Sequence, residues 1–130
     1  MNTVSVDVSK PLDCGHVIPE RDLGIGGYAH FVGDGVMKSI CYDCAADLDR
    51  AAAREHKPIA GYLTRSSPRH AVTTFAGRVL GLCSSVREYD AKGFGGKYKM
   101  VSVKVEIEGV KYCGRGPGYG MYVRLRPYKH

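Results

Sequence analysis

Four residues of the types that bind zinc constrain this chain more than any other feature of its sequence. Cys14 and His16 lie in the short segment Cys-Gly-His, and Cys41 and Cys44 lie further along in Cys-Tyr-Asp-Cys. Three thiolates and one imidazole complete a tetrahedral shell around Zn²⁺ and leave no coordination position open for a substrate. The spacing therefore predicts one zinc ion with a structural role, held by these four side chains.

The identity of the fourth ligand is open at this point. Zinc-binding pairs are more commonly Cys-x-x-Cys, whereas here a single glycine separates Cys14 from His16. Asp13 and His30 are therefore alternatives to His16. Three cysteine ligands with one oxygen or nitrogen ligand would satisfy zinc in each case.

The residues between and after the two ligand pairs predict a hairpin followed by a helix. Apolar stretches at 28–32 and 36–40 flank Gly33-Asp34-Gly35, and Asp-Gly between such stretches is typical of a tight hairpin turn. Residues 41–56 are rich in alanine and other helix formers, and Pro58 is expected to end the helix.

A ligand-bearing turn, a hairpin, and a helix whose first turn carries the last two ligands resemble, in order and spacing, the treble-clef family of zinc fingers. The resemblance covers residues 14–56, about a third of the chain. It implies a structural zinc ion. A module of this size buries too little apolar surface to fold without such support.

The second half of the chain has the texture of an all-β domain. Val101, Val103, Val105 and Ile107 alternate with polar residues, which is the pattern of a strand with one buried face. Strands are predicted near 71–75, 78–89, 98–108, 110–114 and 121–128. Five short strands favour a small SH3-like or OB-like barrel, because closure removes exposed edges.

The predicted fold is thus α+β in three parts. Residues 1–60 form the treble-clef zinc module, 61–70 a linker, and 71–130 the small β-barrel domain.

The sequence favours a cytoplasmic location. It contains no run of about 18 apolar residues, the length needed to span a bilayer, and residues 1–11 contain no apolar region like that of a signal peptide. An odd count of five cysteines argues against a secreted disulfide framework, so a cytoplasmic protein is expected. Cys83 and Cys113, which lie outside the ligand set, are expected to be buried and unreactive.

Charge is distributed unevenly between the two halves. Residues 1–60 contain six Lys/Arg and nine Asp/Glu, whereas 61–130 contain thirteen Lys/Arg and four Asp/Glu. A basic half is typical of proteins that bind polyanions, because phosphates attract lysine and arginine before any specific contact forms. Nucleic acid is therefore the leading partner, with no membrane or small-molecule substrate expected.

The last predicted strand contains the candidate nucleic-acid-binding residues. Tyr122, Arg124, Arg126 and Tyr128 alternate with apolar residues and should share one face. Arginines that hold phosphates beside tyrosines that stack on bases favour single-stranded DNA or RNA. Two further candidates are Arg115, in the glycine-rich segment 114–120 that is predicted to connect two strands, and Arg69, in the predicted linker.

Two other functional classes fit the sequence less well. Treble clefs and small barrels also act as protein–protein adaptors, so binding to or inhibition of a host protein is the alternative. A metal-dependent His-Asn-His nuclease is disfavoured. Although His30 and His56 flank the corresponding hairpin and helix, the cysteines would already occupy the metal position, so no enzymatic activity is expected.

The chain as a whole is loosely similar to small uncharacterised zinc-finger proteins of tailed bacteriophages. The similarity comprises the Cys-Gly-His and Cys-x-x-Cys pairs, the glycine-rich β half and the ending Gly-Tyr-Gly-Met-Tyr-Val-Arg-Leu-Arg at 118–126. It implies expression in a bacterial host cytoplasm and a role in host takeover or nucleic-acid metabolism. It supplies no catalytic residues.

Overall fold

A computed structural model describes residues 9–64, 69–93, 95–117 and 122–128 of the chain. The chain forms two compact units, Met1–Asp47 and Leu48–His130. In chain order the elements are the 3₁₀-helix η1 (Glu20–Ile25), β1 (Ala29–Gly33), β2 (Val36–Ile40), the helix α1 (Tyr42–Arg54), β3 (Ile59–Thr64), β4 (Ala71–Thr73), β5 (Val79–Gly93), β6 (Gly96–Ile107), β7 (Val110–Gly116) and β8 (Tyr122–Pro127).

The first unit contains the predicted hairpin. β1 pairs antiparallel with β2, and Gly33 lies opposite Val36 across the turn. Asp34 and Gly35 both have positive φ, 55° and 75°, as a type I′ turn requires. Among the described residues of this unit, few large side chains are buried, the chief ones being Ile18, Ile40 and Tyr42. The 3₁₀-helix η1 was not predicted.

The predicted helix is also present. It follows Cys41, whose carbonyl accepts the Ala45 N–H at 3.0 Å, and it continues through the alanine-rich segment. At its end the His56 N–H donates to the Ala53 carbonyl at 3.0 Å, and His56 has a left-handed φ of 57°. Pro58 then prevents the helix from continuing, since proline has no N–H to donate.

The second unit contains a closed antiparallel barrel in which every strand pairs with its neighbour in sequence. β3 pairs with β4, the order continues through to β8, and β8 pairs back with β3. The described strands number six rather than the predicted five, and their sequential order differs from the Greek-key order of an OB-fold. The prediction of a five-stranded SH3-like or OB-like barrel is therefore corrected to a six-stranded up-and-down barrel.

Buried and less buried residues alternate along β3, β8 and the second half of β6, and this alternation builds much of the barrel core. The predicted buried face of β6 is confirmed, because Val101, Val103 and Ile107 are fully buried and Val105 is 2% exposed. From β8 the core receives the fully buried Val123 and Leu125, which alternate with its tyrosine and arginines. Other buried residues of the barrel include Ile59, Leu63, Val72, Leu80, Cys83 and Tyr112.

The barrel begins earlier than the predicted domain boundary at 71. Ile59, Gly61 and Leu63 face inward on β3, which lies in the segments assigned to the zinc module and the linker. The last turns of α1 also belong to this unit. In those turns the Arg50 guanidinium donates to the Val79 carbonyl at 3.1 Å. Just after the helix, the Lys57 carbonyl accepts a hydrogen bond from the hydroxyl of the buried Tyr112 at 2.7 Å.

Some predictions fall on residues that the structure does not describe. They are 65–68 of the predicted linker, 118–120 of the glycine-rich segment, and Met121 at the start of the last predicted strand. Within the described part of the chain, no helix is long and apolar enough to cross a membrane.

Candidate functional site

The first pair of candidate ligands lies in a tight turn at residues 12–16. The Leu12 N–H donates to the His16 carbonyl at 2.8 Å, and the Gly15 N–H donates to the Leu12 carbonyl at 2.8 Å. Gly15 has a φ of 87°, a conformation that glycine adopts without strain. Asp13 attaches the turn to β2, because its N–H donates to the Ser39 carbonyl at 2.9 Å and its carboxylate accepts the Ser39 N–H at 2.7 Å.

The four predicted ligands come together in the first unit. The ligand atoms of Cys14, His16, Cys41 and Cys44 all lie within 4.8 Å of one another. The alternative ligands are not part of this group. The Asp13 carboxylate is used by Ser39, and His30 on β1 makes an edge-to-face contact with the Tyr28 ring, the two centroids 5.3 Å apart.

The distances within the cluster fit a tetrahedral zinc ion. His16 Nδ1 lies 3.3 Å from Cys44 Sγ and 3.6 Å from Cys41 Sγ. Zinc bonds of about 2.3 Å to sulfur and 2.0 Å to nitrogen, at tetrahedral angles, place such atoms about 3.5 Å apart. The three cysteines and one histidine can therefore hold a metal ion and are compatible with zinc, with Nδ1 as the nitrogen that faces the shared centre.

Backbone N–H groups stabilise negative charge on the sulfur atoms. The Cys41 N–H donates to Cys14 Sγ at 3.3 Å, and the Cys44 N–H donates to Cys41 Sγ at 3.5 Å. Cys41 and Cys44 also lie at the N-terminal end of α1, where the helix dipole favours anions. These are features expected of thiolate ligands.

The thiols of Cys14 and Cys44 have strongly opposed pKa values. Burial by itself raises the pKa of Cys14, but hydrogen bonds from the Cys41 and His16 backbone and side chains outweigh it and lower the pKa to about 6. For Cys44, burial and then the neighbouring Cys41 and Cys14 side chains raise the pKa to about 12. The cluster therefore retains a proton unless a cation compensates the thiolate charge, which is the function a zinc ion would serve.

A basic groove crosses three strands of the barrel. Strand register places Ser102, Arg115 and Arg124 in one row across β6, β7 and β8, and Lys104, Cys113 and Arg126 in the next. The groove contains no acidic side chain among its described lining residues, which are Ser102, Lys104, Cys113, Gly114, Arg115, Arg124 and Arg126. We call these residues the basic groove.

The arrangement of the groove opposes barrel stability. Arg115 and Arg124 are directly opposite each other on neighbouring strands, which run about 4.8 Å apart. Like charges in this position destabilise a sheet. An anion bound between the two guanidiniums would relieve the repulsion, and guanidinium groups match phosphate in geometry.

The structure separates the predicted nucleic-acid-binding residues into two groups. Arg115, Arg124 and Arg126 line the basic groove, and the last two share one face of β8, as the alternation predicted. Arg69 does not line it, because its guanidinium donates to the Cys83 carbonyl at 2.8 Å beside β5.

The two predicted tyrosines lie at opposite ends of β8. Tyr122 is 45% exposed and lies 5.9 Å from the Tyr62 ring on β3. Tyr128 is half-buried, and Lys104 Nζ lies 5.9 Å from its ring centroid. Both rings thus lie within reach of the groove, because each is two residues from one of its arginines on the same strand face.

Sequence reasoning did not include Lys104 or Tyr62 in the site. The alternation in β6 placed Lys104 on the exposed face, but only the pairing of β6 with β7 and of β7 with β8 brings it beside Arg126. Tyr62 lay in the predicted linker, although the alternation of β3 was present in the sequence.

The two cysteines outside the ligand set differ from each other. Cys83 is buried, as expected, and burial raises the pKa of its thiol to about 11. The expectation of burial was wrong for Cys113. It is half-exposed and faces the basic groove, because the inward positions of β7 are occupied by Tyr112 and Gly114.

The histidines considered for a nuclease do not join the metal cluster. His30 and His56 are both exposed, and neither belongs to the group of candidate ligands in the described residues.

Comparisons with known proteins provide no function to transfer to these sites. No protein-family model, no curated protein and no solved structure matches the chain. The similarities to treble-clef fingers and to phage proteins therefore remain predictions.

Proposed function

We propose that this chain is a non-enzymatic nucleic-acid-binding protein whose barrel holds single strands of DNA or RNA in the basic groove. The observation that carries the proposal is the set of four cations from three strands: Lys104, Arg115, Arg124 and Arg126. Cations that lie side by side without acidic partners repel one another and lower the stability of the fold. The same arrangement attracts phosphate groups, so it is typical of a surface that binds nucleic acid.

The proposal assigns a supporting role to the first unit. Cys14, His16, Cys41 and Cys44 would hold one zinc ion, and the turn, hairpin and helix start that carry them would form a treble clef. With four protein ligands the ion has no open position, so it stabilises this unit and performs no chemistry. The similarity to phage proteins would place the chain in a bacterial host cytoplasm.

Equilibrium binding tests the assignment of the groove. Fluorescence anisotropy with a labelled single strand of about 12 nucleotides would compare the wild type with the double variant Arg124→Ala/Arg126→Ala. The matched control is Arg54→Ala/Lys57→Ala, which removes the same charge from two residues that already have acidic partners, Glu108 and Glu55.

The expected result is a loss of about tenfold or more in affinity for the groove variant and little change for the control. Equal losses in both variants would indicate attraction by net charge alone. Unchanged affinity in the groove variant, or no binding by the wild type, would refute the proposal.

Protein binding is the second candidate function, and one observation favours it. The tip of the β1–β2 hairpin exposes three apolar side chains, Val32 at 63%, Val36 at 54% and Met37 at 65%. Exposed apolar groups of this kind are typical of protein-binding surfaces. Capture from a bacterial lysate with and without nuclease separates the two functions, because an adaptor or inhibitor of a host protein would retain its partner after nucleic acid is destroyed.

A further inference from the structure

Three aromatic rings form a cluster beside the basic groove. The Tyr62 ring on β3 lies 5.9 Å from that of Tyr122 on β8 and 6.1 Å from that of Phe75 in the loop after β4. Phe75 is 65% exposed and Tyr122 is 45% exposed. We call Tyr62, Phe75 and Tyr122 the aromatic cluster.

The cluster is continuous with the groove through β8. Tyr122 and Arg124 lie on the same strand face, about 7 Å apart along the strand. Tyr62 lies directly opposite Tyr122, and the small residue Ala60 lies directly opposite Arg124. A shallow depression lined by Ala60, Tyr122, Arg124 and Arg126 joins the two surfaces.

The loop that carries Phe75 is closed by hydrogen bonds of other residues. The Thr74 N–H donates to the Arg78 carbonyl at 2.9 Å, and the Gly77 N–H donates to the Thr74 carbonyl at 2.9 Å. The Arg78 guanidinium also donates to the Ala76 carbonyl at 3.1 Å. These bonds fix the loop and leave most of the Phe75 side chain in solvent, where a large apolar group gains little stability for the fold.

We propose that the aromatic cluster binds unpaired bases of the same strand whose phosphates lie in the basic groove. This inference rests on the proposed function and extends it by assigning the residues that contact the bases. Aromatic rings beside a cationic groove bind single strands because every base has a face on which a ring can stack. In a duplex those faces are covered by neighbouring base pairs, so the cluster selects single-stranded over double-stranded nucleic acid.

The experiment separates contacts to bases from contacts to phosphates. Binding is measured for an oligothymidine of about 12 nucleotides, for an abasic strand with the same phosphates, and for a duplex of equal length. The variants are Phe75→Ala/Tyr122→Ala and the milder Phe75→Leu, which keeps an apolar side chain in the loop but removes the ring. Tyr98→Ala is the matched control, since Tyr98 is 47% exposed on β6 and lies outside both surfaces.

The wild type should bind oligothymidine at least about 25-fold more tightly than the abasic strand or the duplex. Phe75→Leu should lose about fivefold on oligothymidine, and the double alanine variant about 25-fold or more, with the abasic affinity unchanged in both. Tyr98→Ala should match the wild type on all three probes. Thermal unfolding of each variant identifies any loss that comes from misfolding.

Two kinds of failure can be told apart. If the wild type binds oligothymidine and the abasic strand equally, if the duplex binds as tightly as the single strand, or if the ring variants keep full affinity, the inference is wrong and the groove assignment stands. If the wild type binds none of the three probes, both the inference and the proposed function are wrong.

Discussion

Replacement of one candidate zinc ligand should unfold the first unit while leaving the barrel intact. The perturbation is Cys44→Ser, because Cys44 Sγ lies 3.3 Å from His16 Nδ1 within the cluster. Serine keeps the size and helix-start position but does not provide a thiolate. Cys113→Ser is the matched control, since this cysteine lies in the groove, outside the candidate ligands.

The magnitude follows from the number of ligands. Structural zinc sites in small modules bind with apparent free energies of about 10–16 kcal/mol. Shared about equally among the four side chains of the cluster, this is roughly 2.5–4 kcal/mol per ligand, or a loss of about 70- to 900-fold in zinc affinity. Since Ile18, Ile40 and Tyr42 are the chief buried side chains of the unit, little apolar burial remains to hold it together.

Two measurements check this prediction. Competition with a chromophoric chelator gives the zinc affinities of the wild type and of both variants. Amide NMR spectra show which residues lose their dispersed signals when the metal is removed. We expect loss over residues 9–47 and retention over the barrel strands. Equal zinc affinity of Cys44→Ser and the wild type, or an unchanged spectrum of verified metal-free protein, would refute the reasoning.

Three further predictions follow from local geometry. Gly114→Ala should destabilise the barrel by about 1–3 kcal/mol in denaturant unfolding, because the added Cβ would clash with the Arg124 carbonyl and the Leu125 side chain. Gly24→Ala is the control and should have little effect, since a Cβ at that position has no atom within 4 Å. Iodoacetamide at pH 8 should alkylate Cys113 and spare Cys83, whose pKa of about 11 leaves roughly one thiol in a thousand ionised. Bound oligonucleotide should protect Cys113, and alkylation at an unchanged rate would contradict the groove assignment. Nitrogen NMR of the zinc-loaded protein should show His16 protonated at Nε2 and bound to metal through Nδ1, and the reverse assignment would contradict the cluster geometry.

The parts of the fold that sequence predicted are those encoded by local patterns. Asp34-Gly35 between apolar stretches predicted the β1–β2 hairpin, and the alanine-rich run before Pro58 predicted α1. The alternation of β6 gave its buried face because burial on one side of a strand acts at every second residue. The four candidate ligands were also found from sequence, since their spacing on a turn and a helix start is local.

The parts that sequence did not predict depend on long-range pairing. The prediction did not include β3 because it divides this strand between the end of the zinc module and the linker at 61–70, although Ile59, Gly61 and Leu63 alternate with less buried residues. That omission removed Tyr62 from consideration. The neighbours of Lys104 could not be predicted for a similar reason, since strand register depends on contacts between residues distant in the chain.

The salt dependence of binding tests the central claim most directly, because it counts the phosphates that the protein contacts. If Lys104, Arg115, Arg124 and Arg126 each contact one phosphate of a single strand, the slope of log affinity against log salt should be about −2.8. Affinity should then fall about 50-fold between 50 and 200 mM salt for the wild type and about sevenfold for Arg124→Ala/Arg126→Ala, whose slope should be about −1.4. A wild-type slope near zero, or the same slope in both proteins, would contradict binding of nucleic acid in the basic groove.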